Sequence, residues 1–219
     1  MTTLERIIGP RVDRDDLSRR SLRYGLPGGL LLLARVLILV SLFVPYWHME
    51  MHAPQYPDNL HLHAYVNHLR GDVAEINALN HYIGMRPLEE AAQMERRYGV
   101  YMLIVLVVML ELAGHVHNRW AAALALPAVL FPAVFLFSLH YWMSHFGQNL
   151  DPDAPLSSSI KPFVPPILGT GIVGQFKTVA SAGIGLMMST ASSITIVAAL
   201  VFHRRAYKPL VDAAKAGES

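Results

Sequence analysis

Cysteine is absent from this 219-residue chain. Disulfides, zinc–thiolate and iron–sulfur sites, covalent haem attachment and thiol catalysis are therefore excluded together. Net charge is also low: 18 basic and 16 acidic residues leave +2, which gives no basic surface for nucleic acid. No nucleophile–base arrangement and no phosphate loop stand out. Gly169-Thr170-Gly171-Ile172-Val173-Gly174 has the GxGxxG spacing. No strand is expected before it, and no acidic residue follows at the required distance. The enclosing KPFVPPILGTGIVGQF reads instead as a flexible or re-entrant element, and Ser157 to Ser159 with Pro162, Pro165 and Pro166 reads as ordinary loop.

The chain is rich in apolar residues, 53% of the total, gathered in long runs. Four of these are long enough to cross about 30 Å of hydrocarbon. The expected layout is an Arg-rich tail over 1–25, a first span over 26–47, a His/Met-rich loop over 48–98, and a second span over 99–117. A third span over 119–142, a Pro/Gly-rich loop over 143–180, a fourth span over 181–202 and a tail over 203–219 complete it. The expected fold class is an all-α membrane protein with four transmembrane helices and two extracytoplasmic loops, the first partly ordered. The first run follows a basic tail but has no small-residue cleavage site, so it reads as a retained anchor. Pro127 and Pro132 should kink the third span, leaving carbonyls that neighbouring helices must shelter.

Basic residues set the direction. Arg6, Arg11, Arg14, Arg19, Arg20 and Arg23 precede the first span, Arg119 lies between the second and third, and Arg204, Arg205, Lys208 and Lys215 follow the fourth. With four spans all of these fall on one side, so both termini are expected in the cytoplasm of a bacterial inner membrane. Tyr46 with Trp47, Tyr98 with Tyr101, and Tyr141 with Trp142 then fall at the outer boundary as aromatic belts. Inside the membrane, Arg35 and Glu111 differ in depth by only about 4–5 Å at ~1.5 Å per residue. An intramembrane charge is costly, so the two are expected to pair, either as a lock between spans or as part of a proton or quinol site.

The loop after the first span holds six of the eleven histidines: His48, His52, His61, His63, His68 and His81. Met49, Met51 and Met85 accompany them, and His140 and His145 flank the outer end of the third span. His48 and His52 share a face at i, i+4 if the span continues as a helix. His61-Leu62-His63 alternates like a short strand. Asp72 is placed to cap a helix over Val73 to Tyr82, with Gly84 as its stop. No pair here has the fixed spacing of a strong metal motif, so the signal is collective. His48, Met51, His52, His61, His63, His81, Met85, His140 and His145 form the expected ligand set. Imidazole with thioether favours copper, and zinc is the usual competitor. A separate group at the cytoplasmic ends, His115, His117 and His203, offers an alternative bis-histidine site for a b-type haem.

APQYP (Ala53 to Pro57), GDVAEIN (Gly71 to Asn77) and LNHYIGM (Leu79 to Met85) resemble the signature loop of a family of small multi-pass membrane proteins. That family accompanies bacterial nitrous-oxide and nitric-oxide reduction systems, beside copper-handling factors. The resemblance covers about forty residues. It implies denitrification and copper, with His81 and Met85 inside the motif and Met51 and His52 just before it. The expected role is a non-catalytic accessory protein or subunit serving a nitrogen-oxide reductase, in contact with membrane lipid and with other respiratory subunits or an extracytoplasmic copper protein. The alternatives are an electron-transfer subunit with haem or a quinol site, and a structural subunit that docks a soluble partner.

Overall fold

A computed structural model describes residues 19–156, 158–173 and 176–216, together with Ile8 and Val12. Arg6, Arg11, Arg14, Ser157 and Gly174 lie outside the described residues. In chain order the elements are α1 (Ser21–Ser41), β1 (Trp47–Ala53), β2 (Tyr56–Ala64), β3 (Leu69–Gly71) and α2 (Val73–Ile83). A 3₁₀ turn (Leu88–Glu90), α3 (Gln93–His115), α4 (Trp120–Gln148), β4 (Gly169–Val173), β5 (Phe176–Ala182) and α5 (Ile184–Ala216) follow. Four helices, α1, α3, α4 and α5, are long and apolar enough to cross a membrane, the pattern of a multi-pass membrane protein.

The fold is not all-α. Five strands form one antiparallel sheet in the order β3-β2-β1-β5-β4. Three of the strands come from the connection between α1 and α3 and two from the connection between α4 and α5. Because β1 and β5 are hydrogen-bonded neighbours, the two connections share one side of any membrane the helices cross. The expected re-entrant element is instead the β4–β5 hairpin.

The first span ends earlier than the hydropathy run suggests. α1 closes at Ser41, and the five residues that follow lead through Pro45 into β1. Proline has no amide proton to continue a helix and restrains the residue before it to extended backbone. From Trp47 to Ala53 apolar and polar residues then alternate strictly, and burial alternates with them, as in a strand with one covered face. Tyr46 and Trp47 are therefore core residues, 0% and 1% exposed, rather than belt residues at a lipid boundary. The Tyr46 hydroxyl lies 2.6 Å from Ser41 Oγ, and Trp47 Nε1 donates to the Ile167 carbonyl at 2.5 Å.

Two compact units divide the chain. The first comprises residues 1–40, 102–132 and 188–219. Its buried positions include Ala34, Ala113, Ala125, Ala128, Ala199, Ser189 and Ser192, small residues that let helix backbones approach closely. Pro132 cannot donate to the Ala128 carbonyl four residues back. Ser193 Oγ, on α5, reaches that carbonyl at 3.5 Å and donates to Val129 O at 3.0 Å, which shelters the backbone that proline frees. Arg35 Nη1 and Glu111 Oε2 form an ion pair in this unit, and Arg35 Nε donates to the Leu31 carbonyl at 3.1 Å.

The second unit comprises 41–101 and 133–187 and contains the sheet. Trp47, Met49, Met51, Leu60 and Leu62 cover one face of it and pack with Ile76 and Leu79 of α2 and with Leu88. α2 ends at Gly84, whose φ of +80° is the left-handed conformation that glycine adopts without a Cβ clash. Asp72 occupies the position before the helix but makes no side-chain cap. Its carboxylate instead accepts the His61 amide at 2.7 Å while its own amide donates to the His61 carbonyl at 2.8 Å, tying α2 to β2.

Candidate functional site

Strand alternation divides the expected ligand set. On β1, His48, Glu50 and His52 lie on one face and Met49 and Met51 on the other. The continuing helix that would have placed His48 and His52 one turn apart does not form. They share a face because they are four residues apart on a strand, with Glu50 midway between them. The neighbouring strand adds its own histidines to this open face: His63 lies opposite His48, and His61 lies opposite Glu50. On the other side of β1, His48 faces Ser181, Glu50 faces Val179 and His52 faces Lys177.

Only one pair of these imidazoles is in contact. His48 Nδ1 and His63 Nδ1 lie 2.6 Å apart, with the rings edge to face at 4.8 Å between centroids. One ring must donate and the other accept, so at least one of the two facing nitrogens carries a lone pair. Burial, followed by the neighbouring His63, lowers the pKa of His48 below the usual imidazole value and keeps it neutral, the form that ligates metals. The next rung is organised differently. Glu50 Oε1 accepts from Asn59 Nδ2 at 2.8 Å and lies 3.6 Å from His52 Nε2. Asn59 takes a left-handed φ of 56° in β2, a conformation asparagine tolerates better than most side chains.

The remaining members of the set lie elsewhere. His81 is exposed on α2, the helix that packs on the sheet's covered face, so the sheet separates it from His48 and His63. Met51 and Met85 are buried, on the covered side, with Met49. His140 is exposed on α4. His145 lies parallel to the Tyr141 ring and edge-on to Trp142, with Asn149 Nδ2 bonded to its carbonyl at 2.8 Å. His68 stacks on Tyr65 with 4.3 Å between centroids, and burial followed by Arg70 lowers its pKa. Among the described residues no group of three or more His, Asp or Glu side chains converges as a metal site. His48 with His63 is thus a contacting imidazole pair, bordered on the same face by Glu50 and His61.

The inner histidines form a different cluster. His117 and His203 have ring centroids 5.5 Å apart, and Tyr207 stacks on His117 at 3.8 Å while contacting His203 at 4.6 Å. Tyr24 extends this stack from α1. His115 is exposed and bonds back to the Glu111 carbonyl at 2.9 Å. A porphyrin between His117 and His203 would have to displace Tyr207.

Glu50, on the open face beside the His48–His63 pair, and Met49, Met143 and Asn80, on the covered side of the sheet, are outside the expected ligand set. Glu50 and Met49 have a readable signal, the alternation of Trp47 to Ala53. Asn80 and Met143 have none, because their neighbours come from other elements. No protein-family model matches the chain, and no curated protein matches it either.

Proposed function

We propose that this is a copper-binding accessory protein of a bacterial cytoplasmic membrane, serving a respiratory nitrogen-oxide reductase, with its sheet on the extracytoplasmic side. One observation carries the metal reading: the His48 and His63 Nδ1 atoms meet at 2.6 Å on the open face of the sheet. Two imidazole nitrogens each about 2.0 Å from a metal at a right angle stand about 2.8 Å apart. If the pair opens slightly and both rings turn so that their lone pairs address one point off the N···N line, a copper ion can take the place of the shared proton. Two protein ligands leave further coordination positions open, which suits release to a partner better than permanent retention. The nitrogen-oxide partner rests on the resemblance of the APQYP and LNHYIGM segments.

The orientation rests on Arg19, Arg20 and Arg23 before α1, Arg119 between α3 and α4, and Arg204, Arg205 and Lys208 in α5. A chain without cysteine makes single-cysteine labelling clean: a cysteine placed at Asp58 should react with an impermeant maleimide in intact spheroplasts, and one placed at Arg119 should not. The haem alternative has less support, because Tyr207 fills the space against His117 and His203.

The test of the metal reading is copper(II) binding by the purified full-length protein, followed by electron paramagnetic resonance. Nitrogen hyperfine structure should appear and be lost in both His48→Ala and His63→Ala. Copper bound equally well by both variants would overturn this site, and a protein that takes up no copper would favour the structural docking role.

A further inference from the structure

We infer that the covered side of the sheet holds a second metal site, a methionine-lined cavity selective for copper(I), distinct from the His48–His63 pair and independent of it. A cavity of about 40 Å³ is lined by fifteen residues, among them Met49 and Met51 of β1, Met85 just after α2, and Met143 of α4; the others, apart from Asn80 and Thr178, are aliphatic or aromatic. Four of the chain's ten methionines thus surround one small space. They are drawn from three separate parts of the sequence. Met49, Met51 and Met85 are 6%, 7% and 8% exposed.

A cavity needs roughly 10–15 Å³ to hold a water, so there is room here, but a buried water also needs two to four polar partners. The polar side chains in the lining are Asn80 and Thr178, and Thr178 Oγ1 lies 3.5 Å from the Gly171 carbonyl, to which it donates. Asn80 is the second observation. It is 4% exposed, it faces the cavity, and its Nδ2 has no hydrogen-bond partner. A buried amide end left unpaired costs about 1–3 kcal/mol, which a fold does not keep in an apolar core without compensation. A metal cannot satisfy an N–H donor, so Asn80 would offer the cavity a ligand atom only with its carboxamide turned by half a turn, oxygen in place of nitrogen.

Thioethers with at most one neutral oxygen form a soft, uncharged ligand set. It selects copper(I) over zinc, magnesium or copper(II), which prefer imidazole and carboxylate. The chemistry therefore sorts by face: imidazole and carboxylate on the open side of β1, sulfur on the covered side. Thioether sulfur does not bind protons in the physiological range, so this site should keep its affinity in acid where an imidazole site loses it.

The test is copper(I) titration of the detergent-purified full-length protein under anaerobic conditions, in competition with bicinchoninate, with X-ray absorption on the loaded protein. Sulfur scatterers at about 2.3 Å are expected. The combined variant Met49→Leu, Met51→Leu, Met85→Leu, Met143→Leu keeps core volume, and such exchanges are well tolerated. Its copper(I) affinity should fall at least ~100-fold. His48→Ala with His63→Ala should leave copper(I) affinity unchanged while abolishing the copper(II) signal, so the two sites fail separately. Unchanged affinity in the leucine variant overturns the proposal. So does absorption showing only nitrogen and oxygen neighbours in the wild-type protein, a result that needs no variant to fold. If small apolar molecules stabilise the protein while copper(I) does not bind, the cavity takes an uncharged ligand and the proposal is again overturned.

Discussion

Replacing Gly84 by alanine tests how the LNHYIGM segment holds the second unit together. Gly84 ends α2 at φ +80°, and a Cβ built there would meet the Asp151 carbonyl oxygen at 2.6 Å and the Asp151 nitrogen at 2.8 Å. Two costs combine. The left-handed conformation alone costs an alanine about 1–2 kcal/mol. Relieving the clash must push the Asp151 backbone away, which loses the Asp151 N–H···O=C Gly84 bond of 2.8 Å, a contribution of about 0.5–1.5 kcal/mol. Their sum, about 2–3 kcal/mol, corresponds to a melting-point fall of about 5–10 °C for a chain of this size. Gly28, inside α1, provides the internal control, because a Cβ there meets nothing within 4 Å. Gly28→Ala should be neutral or slightly stabilising through helix propensity. The assay is thermal unfolding followed by tryptophan fluorescence in one detergent for wild type and both variants. If Gly84→Ala melts within a degree or two of Gly28→Ala, the backbone reading of this segment is wrong.

Two further outcomes follow from charged and titratable groups. Arg35→Met and Glu111→Gln should each lower stability by about 2–3 kcal/mol by leaving one charge unpaired among the spans, whereas the double variant should cost less than either; additive losses in a double-mutant cycle would refute the pairing. His68 is held below the ordinary imidazole pKa by burial and then by Arg70, so the unfolded chain binds the extra proton first. Its contribution to stability is complete above the unfolded value near 6.5 and is lost as pH falls through the lowered folded value. The melting temperature of His68→Gln should therefore fall less than that of wild type between pH 7.5 and pH 5, and parallel profiles would refute this assignment.

Local signals made α2 legible, because a turn residue at Asp72 and a glycine at position 84 bracket a run with helical spacing. The strand at His61 and His63 was legible from alternation alone. β1 was misread because His48 and His52 satisfy both periods: four residues apart, they share a face on a helix and on a strand. The deciding residues were Met49 and Met51, which alternate with the polar set, and Pro45, which bars the helix from continuing. β4 and β5 were not legible. The pairing of β5 with β1 joins Met51 to Thr178 across more than a hundred residues, and the glycine-rich GTGIV of β4 carries little strand propensity of its own. The four long helices were legible because a membrane demands length and apolarity, which are written locally.

What separates ligand content from ligand placement is a composition-preserving exchange in β1, His48→Met combined with Met49→His. The exchange leaves the chain with the same eleven histidines and ten methionines but reverses which side of the strand each occupies. The imidazole now at position 49 would enter the core beside Leu62, Ile76 and Leu79. A buried polar group without a partner there costs about 1–3 kcal/mol. His63 would face a thioether in place of its imidazole partner, and the 2.6 Å contact would vanish. Copper(II) affinity at neutral pH should fall as far as it does in His48→Ala, and the melting temperature should fall further than in that variant. If the exchanged protein binds copper(II) as tightly as wild type, the abundance of histidine around the sheet governs binding. The alternation of a single strand, on which the open-face site depends, would then have no part in it.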